Sequence, residues 1–235
     1  MAFSFKGFPR DSVKFLAALD KNNNRDWFKA HKGEYERVLL DPARDFVVAM
    51  GERLSGIAPE IQAIPQVDKS IFRLYRDTRF SKDKRPLKTH LAVFMWEGDG
   101  AKMESPGFYL HLEKDKLMLA GGMYCFSRDQ LPLYRETVND DTRGPGLVRI
   151  IKAGMKTFPN SGDMGMEDYK RVPRGYPKDH PRQQLLKKKG VILAEEGPVP
   201  ASLFNARAVD YVYKRFEKMQ ALHEWLKTIT GTIIE

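Results

Sequence analysis

Residues 107–113 (G-F-Y-L-H-L-E) and 116–125 (K-L-M-L-A-G-G-M-Y-C) are two strand-like runs separated only by Lys114-Asp115. A two-residue connection of that kind is a hairpin turn, so the two runs are expected to pair antiparallel. The continuous apolar run over 91–97 (L-A-V-F-M-W-E) reads as a central strand, and 70–76 reads as another. Four strands in succession with short connections favour an antiparallel meander over βαβ units. Gly121-Gly122 predicts a bulge or a close approach by another backbone.

Helical patterns bracket this β-rich middle. Residues 9–20 space Phe15, Leu16 and Leu19 for one buried face, and Asn22-Asn23-Asn24 then breaks the pattern, because asparagine side chains bond nearby backbone. Asn23 with Asp26 resembles a capping box that opens a second helix running to Leu40, with Trp27, His31 and Tyr35 on one stripe. Asp41-Pro42 predicts a fresh start, an aspartate N-cap followed by proline at the first helical position. Phe46, Val47, Met50 and Leu54 form the buried face of that third helix, which Gly56 closes.

After the strands, Ser127 and Gln130 have capping-box spacing ahead of Leu131, Tyr134 and Val138. Residues 144–156 and 183–190 read as further helices, and 201–230 as one long amphipathic helix. Residues 157–182 are rich in glycine and proline and read as a loop too long for a plain connection. The expectation is one α+β domain over residues 1–235: a mainly antiparallel sheet of at least four strands, packed by N-terminal and C-terminal helices.

Composition bounds the setting. With 42% hydrophobic and 30% charged residues the chain is globular. Its longest apolar run, 91–96, is far short of the ~20 residues that a membrane helix needs, so no membrane contact is expected. The first ten residues do not read as a secretory signal. The single cysteine, Cys125, excludes an internal disulfide and suits a reducing cytoplasm. It stands between Tyr124 and Phe126, which predicts a buried thiol.

The formal charge of +9 is unevenly spread. Residues 71–90 set seven cations, Arg73, Arg76, Arg79, Lys82, Lys84, Arg85 and Lys88, against Asp77 and Asp83, a balance of +5. Residues 152–190 set ten cations against four carboxylates, a balance of +6. The remainder is slightly acidic, so the basicity forms patches rather than a coat.

The central stretch, F-R-L-Y-R-D-T-R-F-S-K-D-K-R-P-L-K-T-H, resembles the mark of a widespread bacterial and fungal family of domains of unknown function. N-N-N-R-D-W-F before it, G-F-Y-L-H-L-E after it and the later V-P-R-G-Y-P-K-D-H-P belong to the same resemblance, which covers the chain from Phe8 to Leu226. Leu87 stands where the family pattern more often has tyrosine, which removes one hydroxyl. The resemblance implies a single domain of that family and brings no activity with it.

The chemistry therefore has to come from the residues. Guanidinium and ammonium groups hold phosphate or carboxylate, and seven cations cannot be neutralised by two carboxylates. The candidate ligand-binding set is Arg73, Arg76, Asp77, Arg79, Ser81, Lys82, Asp83, Lys84 and Lys88. Trp27, His31 and Tyr35 offer a stacking surface beside it, and Arg174 and His180 lie on the long loop. The bland alternative is an ion-pair lattice in which Asp77 and Asp83 hold Arg73 and Arg79. The stripe of Trp27, His31 and Tyr35 likewise reads most simply as helix packing. Ser81 and Lys84 match S-x-x-K, but the companion elements of serine–lysine acyl enzymes are absent. His31, His90, His111, His180 and His223 are scattered, so no metal is expected, although His111 and Glu113 share one strand face. No nucleotide or flavin motif is present, and no cofactor is expected.

Three readings follow. The leading one is an Arg/Lys-rich pocket for a small molecule bearing phosphate or carboxylate, with catalysis left open. The second is nucleic-acid binding, the two basic segments tracking a backbone while aromatics stack on bases. The third is an interaction module for an acidic protein partner. Oligomeric state cannot be read from the sequence.

Overall fold

Pro42 has no N–H for the carbonyl of Val38, four residues back, and the chain absorbs that loss without ending the helix. In the computed structural model, which describes residues 5–159 and 168–230, residues Glu36–Leu40 form a π-turn in which the Asp41 N–H reaches back to the Glu36 carbonyl. The Val38 carbonyl accepts instead from the hydroxyl of Ser12, at 2.6 Å. Helices α1 (Asp11–Lys21), α2 (Arg25–Ala30), α3 (Lys32–Tyr35) and α4 (Asp41–Leu54) thus make a nearly continuous N-terminal helical run. The α-helix restarts at Asp41 with proline in its first turn, as expected, but without the expected aspartate cap. Leu40 and Asp41 have helical dihedrals, and the Asp41 carboxylate accepts from Arg44 at 2.8 Å rather than capping. The cap of α2 is Asn24, one residue later than expected, its side chain accepting from the Trp27 N–H.

The remaining elements are β1 (Ile61–Gln62), β2 (Leu91–Glu97), β3 (Gly107–Leu112), β4 (Lys116–Met123), α5 (Gln130–Asn139), α6 (Gly144–Thr157), α7 (Gln183–Leu186), β5 (Val191–Pro198), α8 (Ala208–Glu217) and α9 (Gln220–Thr230). The strands form one antiparallel sheet in chain order, β1 to β5, and the protein is α+β. Residues 70–76 are not a strand. They pair with β2 only around Ile71, through Phe72 N–H to the Ala92 carbonyl and Phe94 N–H to the Ser70 carbonyl, and then leave the sheet. Polar Arg73, Arg76 and Asp77 cannot continue alongside a strand whose seven residues are all buried. β5 was not expected from the sequence. The long C-terminal helix is broken between Glu217 and Gln220, where Met219 packs so tightly that a Cβ on Gly121 would lie 2.9 Å from its own. Gly122 has φ +144°, and a side chain there would meet the Val191 carbonyl, the close backbone approach that the glycine pair predicts.

Two compact units make up the chain. The first draws on residues up to Met95, Tyr109–Leu119 and Glu196–Arg215, and buries Phe8, Phe15, Leu16, Leu19, Phe46 and Met50. The second draws on Trp96–Phe108, Ala120–Glu195 and the chain from Phe216. Its core includes Phe108 against Phe216 and His223, and Phe126 stacked on Tyr134. Ser127 and Gln130 form the expected reciprocal cap of α5. Among the described residues no helix is long and apolar enough to cross a membrane. Part of the expected 157–182 loop lies outside the described residues.

Candidate functional site

The basic stretch folds as a necked loop in the first unit. Tyr75 and Leu87 form an antiparallel bridge, flanked by Arg76 N–H to the Pro86 carbonyl and Lys88 N–H to the Leu74 carbonyl. Beyond the neck, the carboxylates of Asp77 and Asp83 each accept the backbone N–H two residues on, from Arg79 and Arg85, and so fold the loop into Asx turns. The Asn23 side chain donates to the Leu87 carbonyl at 2.9 Å and accepts its N–H at 3.0 Å, fixing the neck to the α1–α2 turn. Asp20, at the end of α1, accepts from Arg85 and from Lys114 in the β3–β4 turn.

This geometry sorts the seven cations. Arg79 pairs with Asp77, whose carboxyl is held down at about 2 by that hydrogen-bonded guanidinium. Asp83 is shared by Arg76 at 2.6 Å and Arg85 at 3.0 Å, and those hydrogen bonds hold its carboxyl well below the usual range. The partner of Asp83 is thus Arg76 with Arg85, and Arg73 makes no ion pair within 4.0 Å with either carboxylate, although its charge helps to lower the Asp77 carboxyl. Ser81 accepts from Arg76, and the Lys84 ammonium donates to the Thr78 carbonyl, so the S-x-x-K pair is not a hydrogen-bonded serine–lysine dyad. Arg73 and Lys82 are exposed and make no ion pair within 4.0 Å among the described residues.

Lys88 is different. Half-buried, it sets its ammonium 5.2 Å from the ring centroid of Phe72, with no carboxylate in ion-pair range among the described residues. Burial lowers its pKa, Arg73 lowers it further, and Asp68 opposes both. His90 lies in the same field. Burial first, then His111, Lys88 and Arg76, push its imidazole down to about 3, so it is neutral at physiological pH.

His90 has an aromatic partner on a different element. Its ring stacks on His111, with centroids 4.0 Å apart and planes at 25°. His111 bonds the Tyr109 hydroxyl through Nδ1 at 3.1 Å and Glu113 through Nε2 at 3.0 Å. Two of the histidines read as scattered are therefore together. The signals were the period-two spacing of Tyr109, His111 and Glu113 and the position of His90 at the end of the basic motif. Among the described residues no group of three metal-binding side chains occurs.

Trp27 and His31 stack at 4.1 Å, and the His31 Nδ1 bonds the Trp27 carbonyl. Tyr35 is buried against Phe15 and Phe28, and burial pushes its phenol up to about 12. Phe28 also meets Tyr75 edge-on at 5.8 Å, joining this aromatic group to the loop neck. Arg174 and His180 belong to the second unit. Arg174 is exposed beside Gly175, and the buried His180 accepts the Arg182 N–H through Nδ1.

Fold and loop together define an α+β protein organised on a clamped, basic Ω-like loop beside a histidine pair. The chain belongs to the conserved hypothetical protein family DUF2461, whose model matches residues 11–225. No curated protein matches it.

Proposed function

We propose that the first unit binds a small molecule through its phosphate or carboxylate at Lys88 and Arg73. The observation that carries this reading is the half-buried Lys88 ammonium, which faces an aromatic ring rather than a carboxylate. A desolvated cation beside a second cation is stabilised by an anion, and neutral His90 adds hydrogen-bonding capacity without adding charge. Arg76, Arg79 and Arg85 already have carboxylate partners and shape the loop. A reducing cytoplasm is the proposed setting, on the strength of a single thiol, Cys125.

Thermal unfolding in inorganic phosphate, sulfate or citrate tests the site. The parent protein gains stability with added anion, and the R73A/K88A variant does not. An unresponsive parent at millimolar anion overturns the reading.

A second reading, nucleic-acid binding, draws on Phe80, which is 95% exposed at the loop tip between Arg79 and Lys82. An exposed ring among cations suits base stacking. Oligonucleotide affinity falling steeply with salt, and lost in F80A, is its signature.

A further inference from the structure

Tyr109, His111 and Glu113 stand at alternate positions from β3 onward and share one face. A carboxylate only accepts, so the His111 Nε2 carries the proton that it gives to Glu113. That fixes the tautomer and leaves the Nδ1 lone pair to accept from the Tyr109 hydroxyl. Hydroxyl, imidazole and carboxylate in series are the parts of an activated oxygen, its base and the group that orients the base.

The position of the chain of groups adds to its chemistry. His90 covers one face of His111. The Tyr109 ring meets Phe72 edge-on at 6.2 Å, and the same Phe72 carries Lys88 on its face. One aromatic ring therefore links the phenol to the proposed anion site.

We infer that Tyr109 is the proton-transferring residue of a catalytic site whose substrate is a hydroxyl compound anchored by its phosphate or carboxylate on Arg73 and Lys88, with His111 and Glu113 as positioning residues. The anchoring half rests on the anion-site reading. In the forward step the Tyr109 oxygen takes the substrate's hydroxyl proton while its own proton passes to His111 Nδ1. The imidazolium so formed lies against the Glu113 carboxylate. Return of the proton along the same path restores the resting state, and no electrons are exchanged.

Aryl sulfonyl fluorides read the activated phenol directly. The Tyr109 oxygen forms a bond to sulfur, the S–F bond breaks, fluoride leaves and the phenol proton goes to His111. Labelling of the parent protein with neutral benzenesulfonyl fluoride and anionic para-carboxybenzenesulfonyl fluoride is followed by peptide mass mapping. Tyr109 is expected to react roughly 100-fold faster than the exposed Tyr75 and Tyr124, the scale of a positioned base. H111Q removes that advantage, and its labelling rate then climbs with pH toward the ordinary phenol value of about 10. E113Q shifts the base limb of the parent's pH profile to lower pH, an effect that a purely structural role would not produce. R73A/K88A slows the anionic probe alone.

The two readings fail separately. If Tyr109 in the parent reacts no faster than Tyr75 with the neutral probe, the relay is overturned, whatever phosphate does to the melting point. If R73A/K88A treats both probes alike, the anchoring is overturned.

Discussion

The Asn23 side-chain amide meets the backbone of Leu87 as a strand neighbour would, donating to its carbonyl and accepting its N–H. Asparagine is suited to this because its amide carries a donor and an acceptor side by side. Lys88 and His90 follow closely in the chain, so the clamp sets the register of the residues that build the candidate site.

N23A leaves both Leu87 backbone groups without their partner. The expected loss is about 1–3 kcal/mol in urea unfolding, with faster hydrogen exchange at the Leu87 amide and a weaker phosphate response. An unchanged Leu87 exchange rate would show that the neck holds without the clamp.

His90 gives the protein a pH signature. Its folded pKa of about 3 lies below the 6.5 of the free group, so the unfolded chain binds more protons between those values. Stability is complete above pH 6.5 and declines as pH falls toward 3, by at most about 1.4 kcal/mol per pH unit. H90F keeps a ring against His111 and cannot titrate. Between pH 7 and pH 5, where the carboxylates stay ionised, the parent should lose about 1–2 kcal/mol more than H90F in denaturant titrations. Equal losses would sink the assignment.

What the sequence made legible was short-range. The Ser127–Gln130 cap and the Lys114-Asp115 hairpin each depend on residues a few positions apart, and both are present. The glycine pair showed that a backbone would come close to Gly122, but not that it would be that of Val191. The misreadings share the opposite property. Asn23 looked like a cap because its real partner is 64 residues away. Ser12 gave no sign that it would supply the hydrogen bond Pro42 cannot, 26 residues along at Val38. His90 and His111 looked scattered because only the path from the loop neck into β2 and round to β3 brings them together. The cation count did show that the loop could not neutralise itself. It could not show that Lys88, rather than the more conspicuous arginines, would be left facing a ring.

The Ser12–Val38 bond makes a coupling testable. S12A should cost about 1–3 kcal/mol by orphaning the Val38 carbonyl. In a P42A background the residue-42 N–H is available again, and the same change should cost under about 1 kcal/mol. A double-mutant cycle in urea measures the difference, and additive losses would show that the carbonyl gains nothing from the new N–H.

In the second unit Glu97 lies buried between His223 at 2.5 Å and Lys227 at 2.9 Å. His223 is fully buried and stacked on Phe108. Removing the carboxylate alone, as in E97L, leaves a lysine and an imidazole facing an apolar site, and should cost about 3–5 kcal/mol. If the penalty comes from orphaned partners, replacing all three groups should recover most of it. The triple variant E97L/H223F/K227M keeps a ring on Phe108 and buries no charge, so its unfolding midpoint should return close to the parent's. A triple variant as unstable as E97L would instead make the ion pairs themselves the source of stability, and would mark the cluster as one that apolar packing cannot replace.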